Sequence, residues 1–151
     1  MKKQKLKLHE ILNLDIELNG FVDPKTREVK VEGLLNQILS HNAKFNLKIS
    51  SKNISVEKES INEIQQDLIQ KYGSEDKNGN IGLSMFLDEV DEKGYNKINP
   101  KFVSYQEEWN EFLSSNEREI EFYELTRDDL KDVKTKDNYV IIDEYFVKKD
   151  A

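Results

Sequence analysis

Three groups of residues in this 151-residue chain are of types that could do chemistry. The run Asp76-Lys77-Asn78-Gly79-Asn80-Ile81 imitates the middle of an EF-hand loop. With Gly79 as the sixth loop residue, Asp76 and Asn78 fall on ligand positions and Ile81 on the apolar one. Yet the loop would start at Ser74, and Met85 stands where the bidentate glutamate belongs. Calcium binding should therefore be poor, and the Asn78-Gly79 dipeptide reads as a tight turn. Glu107, Glu108 and Glu111 resemble half of a carboxylate metal site, but a bundle di-metal centre also needs Glu-x-x-His pairs. The only histidines, His9 and His41, sit in no such spacing. Neither has a nucleophile at motif distance, and no Gly-x-Ser-x-Gly, P-loop or Gly-x-Gly-x-x-Gly occurs. There is no cysteine, so disulfides and thiolate metal sites are excluded. The reading assigns no catalytic residue, no cofactor and no metal, and expects a protein that is not an enzyme.

What the pattern does specify is architecture. Leu8, Ile11, Leu12, Asp15, Ile16 and Leu18 suggest a short amphipathic helix stopped at Asn19-Gly20. Residues 21–31 suit a turn and short strand or a small hairpin. Gly33 precedes a helical turn or two at Leu34, Leu35, Ile38 and Leu39. Between residues 42 and 72 no Gly or Pro occurs, and Leu47, Ile54, Ile61 and Leu68 recur every seven residues. Such a period marks a coiled-coil-like seam on a helix of about 45 Å. Ser50 and Glu57 interrupt the seam, and a kink there is an open alternative. Gly73 is the natural C-terminal stop. Ile81–Val90 reads as a short strand or crossover loop, closed by a turn at Lys93-Gly94.

Asn99-Pro100 opens a second helix, with Asn as the cap and Pro in the first turn. Its Phe102, Tyr105, Trp109 and Phe112 form an aromatic stripe expected to cover the seam of the first helix. Beyond it, Ile120 and Phe122 lie on one face of a candidate strand. Thr126-Arg127-Asp128-Asp129 caps a short helix. Residues 139–147 read as a second strand that packs either on the hairpin of its own chain or, the reading favoured, on a neighbouring copy, with Tyr139, Ile141, Tyr145 and Val147 as an assembly arm. The expected fold is mainly α within an α+β class. It is a long antiparallel helical hairpin with a short N-terminal helix and small C-terminal β elements. One domain, 1–151, is expected, comprising an N-terminal region (1–40), the hairpin (41–117) and a C-terminal strand or arm (118–151).

The charged fraction of 35% is well above the usual ~25%, which points to thin elements with much solvated surface. A net charge of −7 disfavours direct nucleic-acid binding through phosphates. Residues 101–130 carry nine acidic and three basic side chains and so hold most of that charge. They form either a solvated face or a docking patch for a basic partner. No apolar run approaches the roughly 18 residues of a membrane span, and the basic N-terminal residues lack the apolar core of a secretory signal.

Several of these stretches recur in a familiar order. Leu6-Lys7-Leu8-His9-Glu10-Ile11-Leu12 is followed by Gly33-Leu34-Leu35 and by a long helix ending Asp67-Leu68-Ile69-Gln70-Lys71-Tyr72-Gly73. The Asp76–Asn80 turn, Asn99-Pro100-Lys101-Phe102 and Leu125-Thr126-Arg127-Asp128-Asp129-Leu130 complete it. The order is similar to small uncharacterised proteins of tailed bacteriophages, including the crAss-like phages of gut Bacteroidetes. The resemblance implies a virion or assembly role and carries over no catalytic residue. The expected function is a non-enzymatic structural protein at the portal, neck or tail of a tailed-phage virion, assembled in the bacterial host cytoplasm. It would act as a homo-oligomer and through contacts with other virion proteins. The alternative is a small phage effector that inhibits a host protein through its acidic surface.

Overall fold

The computed structural model describes residues 1–134 and 136–149. It is a mixed α+β structure with one long helix and small two-stranded sheets. Among the described residues the longer helices are α1 (Leu8–Asn19), α2 (His41–Tyr72) and α3 (Pro100–Ser115), interspersed with eight strands. The strands are β1 (Lys2–Lys7), β2 (Phe21–Val22), β3 (Val29–Val31), β4 (Ser74–Glu75), β5 (Ile81–Gly82), β6 (Phe86–Val90), β7 (Asn96–Ile98) and β8 (Glu117–Phe122). They pair antiparallel as β1–β8, β2–β3, β4–β5 and β6–β7. The chain divides into two compact units, Met1–Glu59 with Glu117–Ala151, and Ser60–Asn116.

The first unit is closed by a pairing absent from the sequence reading. β1 lies antiparallel to β8, with Lys3 opposite Glu121, Lys5 opposite Glu119 and Lys7 opposite Glu117. Side chains alternate across a strand, so this register puts every Lys–Glu pair on one face and Leu6, Ile120 and Phe122 on the other. Lys3 lies 3.3 Å from Glu121 and 3.9 Å from Glu119. Leu6 and Lys7 belong to this strand. α1 begins one residue later, where the Glu10 carboxylate accepts the Lys7 N–H at 3.0 Å. Its buried Leu8, Ile11, Leu14 and Leu18 follow the helical period.

α2 runs unbroken through the polar stretch at Ser50. The Ser50 hydroxyl is fully buried, and it satisfies two backbone groups at once. It donates to Asn46 O at 3.0 Å and accepts the Tyr123 N–H at 3.0 Å. The Asn53 amide donates to Glu121 O at 3.0 Å, which fixes the end of β8 to this helix. Asp15, nearly buried, takes an ion pair from Lys58 at 2.7 Å and ties α1 to α2. Within this unit the seam residues Leu47 and Ile54 are buried, but α2 is held by β8 and α1 rather than by an aromatic helix.

The C-terminal segment corrects the sequence reading most. Residues 139–147 do not form a strand. They turn as a helix whose last part, Ile142–Phe146, is wound as a π-helix. Nor do they form an arm. Tyr139, Ile142, Phe146 and Val147 are buried in their own unit, while Ile141 and Tyr145 are half-buried. Phe146 stacks on Phe122 with ring centroids 4.2 Å apart and planes within 1°. Its last turn meets Leu125, through Leu125 N–H to Phe146 O at 2.8 Å and Lys148 N–H to Leu125 O at 2.7 Å. The physical reason lies far away in sequence. The Glu17 carboxylate, on α1, accepts the N–H groups of Ile141 and Ile142 at 2.9 and 3.2 Å, so it caps the first turn of this segment. The Tyr139 hydroxyl donates to Glu32 O at 2.7 Å and accepts from Gln37 at 3.1 Å.

Two outcomes follow. Phe146→Ala should cost about 3–5 kcal/mol in chemical unfolding, and Trp109→Ala, whose side chain is only half-buried, distinctly less. Burial raises the Glu17 carboxyl above the ordinary range, against the smaller opposing effect of the Ile142 and Ile141 N–H groups. Protonation therefore favours the folded state: this contribution is complete below the unfolded-state pKa and is lost as pH rises through the folded one. Glu17→Gln removes it, so wild type should gain stability relative to the variant as pH falls from neutral towards 4. Urea midpoints across that range check the sign.

Candidate interaction surface

The second unit, Ser60–Asn116, contains the C-terminal part of α2, the β4–β5 and β6–β7 hairpins and α3. Its two hairpin turns are built alike. The Asp76 carboxylate accepts the N–H groups of Asn78 and Asn80 at 2.8 and 3.0 Å, with Gly79 at φ 82°. The Asp91 carboxylate accepts those of Lys93 and Tyr95 at 2.9 and 3.0 Å, with Gly94 at φ 84°. The EF-hand-like spacing is thus the spacing of an Asx turn: Asp76 spends its oxygen on backbone donors. The second turn, Asp91-Glu92-Lys93-Gly94, has the same form and was legible from Asp and Gly three residues apart.

α3 opens as its sequence predicts, with the Asn99 side chain accepting from Lys101 N–H and Pro100 in the first turn. Its aromatic stripe is less covered than expected. Tyr105 is buried, but Phe102, Trp109 and Phe112 are half-buried, and Leu113 supplies the other buried position. The rings pair along their own helix, Trp109 on Phe112 at 5.9 Å and Phe102 against Tyr105 at 5.8 Å. Gln65 donates to the Tyr105 hydroxyl at 3.0 Å, while Lys71 and Tyr72 reach Glu108. These links advance in the same sense along α2 and α3, whereas an antiparallel pair would run them in opposite senses. The expected antiparallel hairpin is therefore not reproduced.

Glu108 is the focus of the unit's charge. It accepts the Tyr72 hydroxyl at 2.6 Å and Lys71 Nζ at 3.1 Å. The Tyr72 hydrogen bond, then Lys71, hold its carboxyl below the ordinary range, and Glu108 in turn raises Tyr72 and Lys71. Glu107 and Glu111 are exposed on the same helix, and His9 and His41 are exposed elsewhere. Among the described residues no three His, Asp or Glu side chains converge as a metal site. No helix among them is long and apolar enough to cross a membrane.

What the second unit does offer is uncovered apolar surface. Its buried apolar residues are Ile61, Leu68, Tyr105 and Leu113. Against these few stand the exposed Ile64, Ile81, Met85, Phe86, Val90, Tyr95, Ile98 and Val103, with Tyr95 at 70% and Ile98 at 60%. Every residue of β7, and every residue of β6 but half-buried Leu87, is exposed. In the first unit a smaller apolar cleft of about 400 Å³ lies along β2 and β3, lined by Phe21, Val22, Val29 and Val31. Sequence reading placed a strand or loop at Ile81–Val90 but missed its exposure, because an apolar residue carries the same signal whether it faces a core or a partner.

Comparison with family models, with curated proteins and with solved structures finds no match.

The Glu108 cluster gives a direct check. The Glu108 carboxyl should titrate below a normal glutamate by carbon-detected NMR, and Tyr72→Phe should raise that midpoint towards the ordinary value. An unmoved midpoint would show that Tyr72 does not hold it.

Proposed function

We propose that the chain is a non-enzymatic assembly protein that works by contacts with copies of itself and with other proteins. We place it, on the resemblance described above, in the virion of a tailed phage, at the portal, neck or tail. The observation that carries the assembly reading is the imbalance in residues 60–116, where exposed apolar side chains outnumber buried ones. A surface of this kind is the mark of an interface, and a small unit with so thin a core gains stability by covering it. α2, at 32 residues about 48 Å long, is suited to serve as a strut.

The inhibitor alternative loses ground. It relied on the acidic surface of residues 101–130, and part of that charge is matched within the chain, since β8's glutamates face the lysines of β1 and Glu108 is engaged by Lys71.

Multi-angle light scattering over micromolar concentrations should find more than one copy per particle. Ile98→Asp should lower that mass and shift monomer stability by less than about 1 kcal/mol, since the residue is exposed. A wild-type chain that stays monomeric throughout would refute self-assembly. Mass spectrometry of purified phage particles tests the location separately.

A further inference from the structure

We infer that copies of this chain join head to tail, the β6 edge of one pairing with the β7 edge of the next, in an assembly of more than two copies. The inference rests on the self-assembly reading and adds its geometry. β6 and β7 form a two-stranded sheet, so each strand has one unpaired edge among the described residues. Which backbone groups face that edge follows from two hydrogen bonds. Asn99 N–H donates to Met85 O at 2.8 Å, and Asp91 N–H donates to Tyr95 O at 2.7 Å. These bonds flank the opposed pairs Phe86–Ile98 and Val90–Asn96, which are thereby of the type that does not bond across the ladder. The N–H and C=O groups of Phe86 and Val90 point out of one edge, and those of Asn96 and Ile98 out of the other. Three of these four residues also carry exposed apolar side chains.

β1 is also a strand of a two-stranded sheet, but it is guarded by Lys3, Lys5 and Lys7, the usual device against strand addition. β2 has two residues, too few to template a partner. β6 and β7 combine open edges with apolar side chains, and their charges then select the geometry. β6 carries Asp88 and Glu89, and β7 carries Lys97. A two-fold joining β7 to β7 sets Lys97 against Lys97, and one joining β6 to β6 sets acid against acid; like charges so opposed repel. Only β6 against β7 sets Glu89 beside Lys97 of the next copy. Within one chain these two lie 3.8 Å apart and largely exposed, so each has capacity for a second partner. A head-to-tail contact cannot stop at two copies: it closes as a ring or continues as a filament.

The test is a charge exchange on the full chain. Lys97→Glu makes positions 89 and 97 both acidic and Glu89→Lys makes them both basic, so each variant alone should assemble on the order of tenfold more weakly than wild type at low salt. Mixed in equal amounts, the two should recover assembly, because a β6–β7 contact between unlike variants again sets opposite charges at positions 89 and 97. Loss of local hairpin stability could not be cured by mixing. Recovery on mixing, in particles larger than dimers, supports the inference. Single variants that assemble like wild type, a mixture no better than its components, or a wild-type particle of two copies would each overturn it while leaving self-assembly standing. A monomeric wild type would remove both.

Discussion

The closure of β1 on β8 is the constraint from which the rest of the first unit follows. Residues more than a hundred positions apart are aligned so that Leu6, Ile120 and Phe122 point one way and three Lys–Glu pairs the other. Once β8 is in register, the Tyr123 N–H is delivered to the Ser50 hydroxyl and Glu121 O to Asn53, which seats α2. Phe122 presents its ring to Phe146, which seats the C-terminal turn. Individually the Lys–Glu pairs are exposed and worth little. Their value lies in register, since a slip by one residue would turn Leu6 and Phe122 into solvent.

The polar side chains buried in this core are few, and among the described residues no buried side-chain N or O lacks a hydrogen-bond partner. Ser50 supplies a hydroxyl where the heptad seam calls for an apolar residue, and it bonds one backbone group of its own helix and one of β8. Glu17 holds two N–H groups that would otherwise be unsatisfied at the start of a buried helical turn. Asp15 is matched by Lys58 and Asn19. A core pinned this way is specified by direction as well as by volume. The second unit has little of this, and its polar links, at Tyr105 and Glu108, sit close to solvent.

Local signals in the sequence were read correctly wherever the cause was local. The ends of α2, the Asn99-Pro100 opening of α3, the Asn78-Gly79 turn and the alternation of Ile120 and Phe122 all depend on neighbours a few residues away. Two failures have non-local causes. Tyr139–Val147 is a short run, apolar but for Asp143-Glu144, whose period does not choose between strand and helix, and the deciding residue, Glu17, lies on α1. The lysines at 3, 5 and 7 share the strand parity of the glutamates at 117, 119 and 121, but nothing in either segment names the other. The seven-residue seam of α2 was a third kind of error. Leu47, Ile54, Ile61 and Leu68 are all buried, so the period reported burial faithfully, but it did not say by what. The exposed apolar surface of β6 and β7 was invisible for the same reason.

The β1–β8 pairing also bears on how the chain is made. Synthesis delivers β1 well before its partner, which follows only after three helices and three hairpins have emerged. During that interval β1 is an unpaired edge, and its alternating lysines keep it from pairing with another nascent chain. The helices and tight hairpins between them rest on contacts close in sequence and form quickly. The first unit, by contrast, cannot complete its core before β8 and Phe146 are made, because both close it through contacts of high sequence separation.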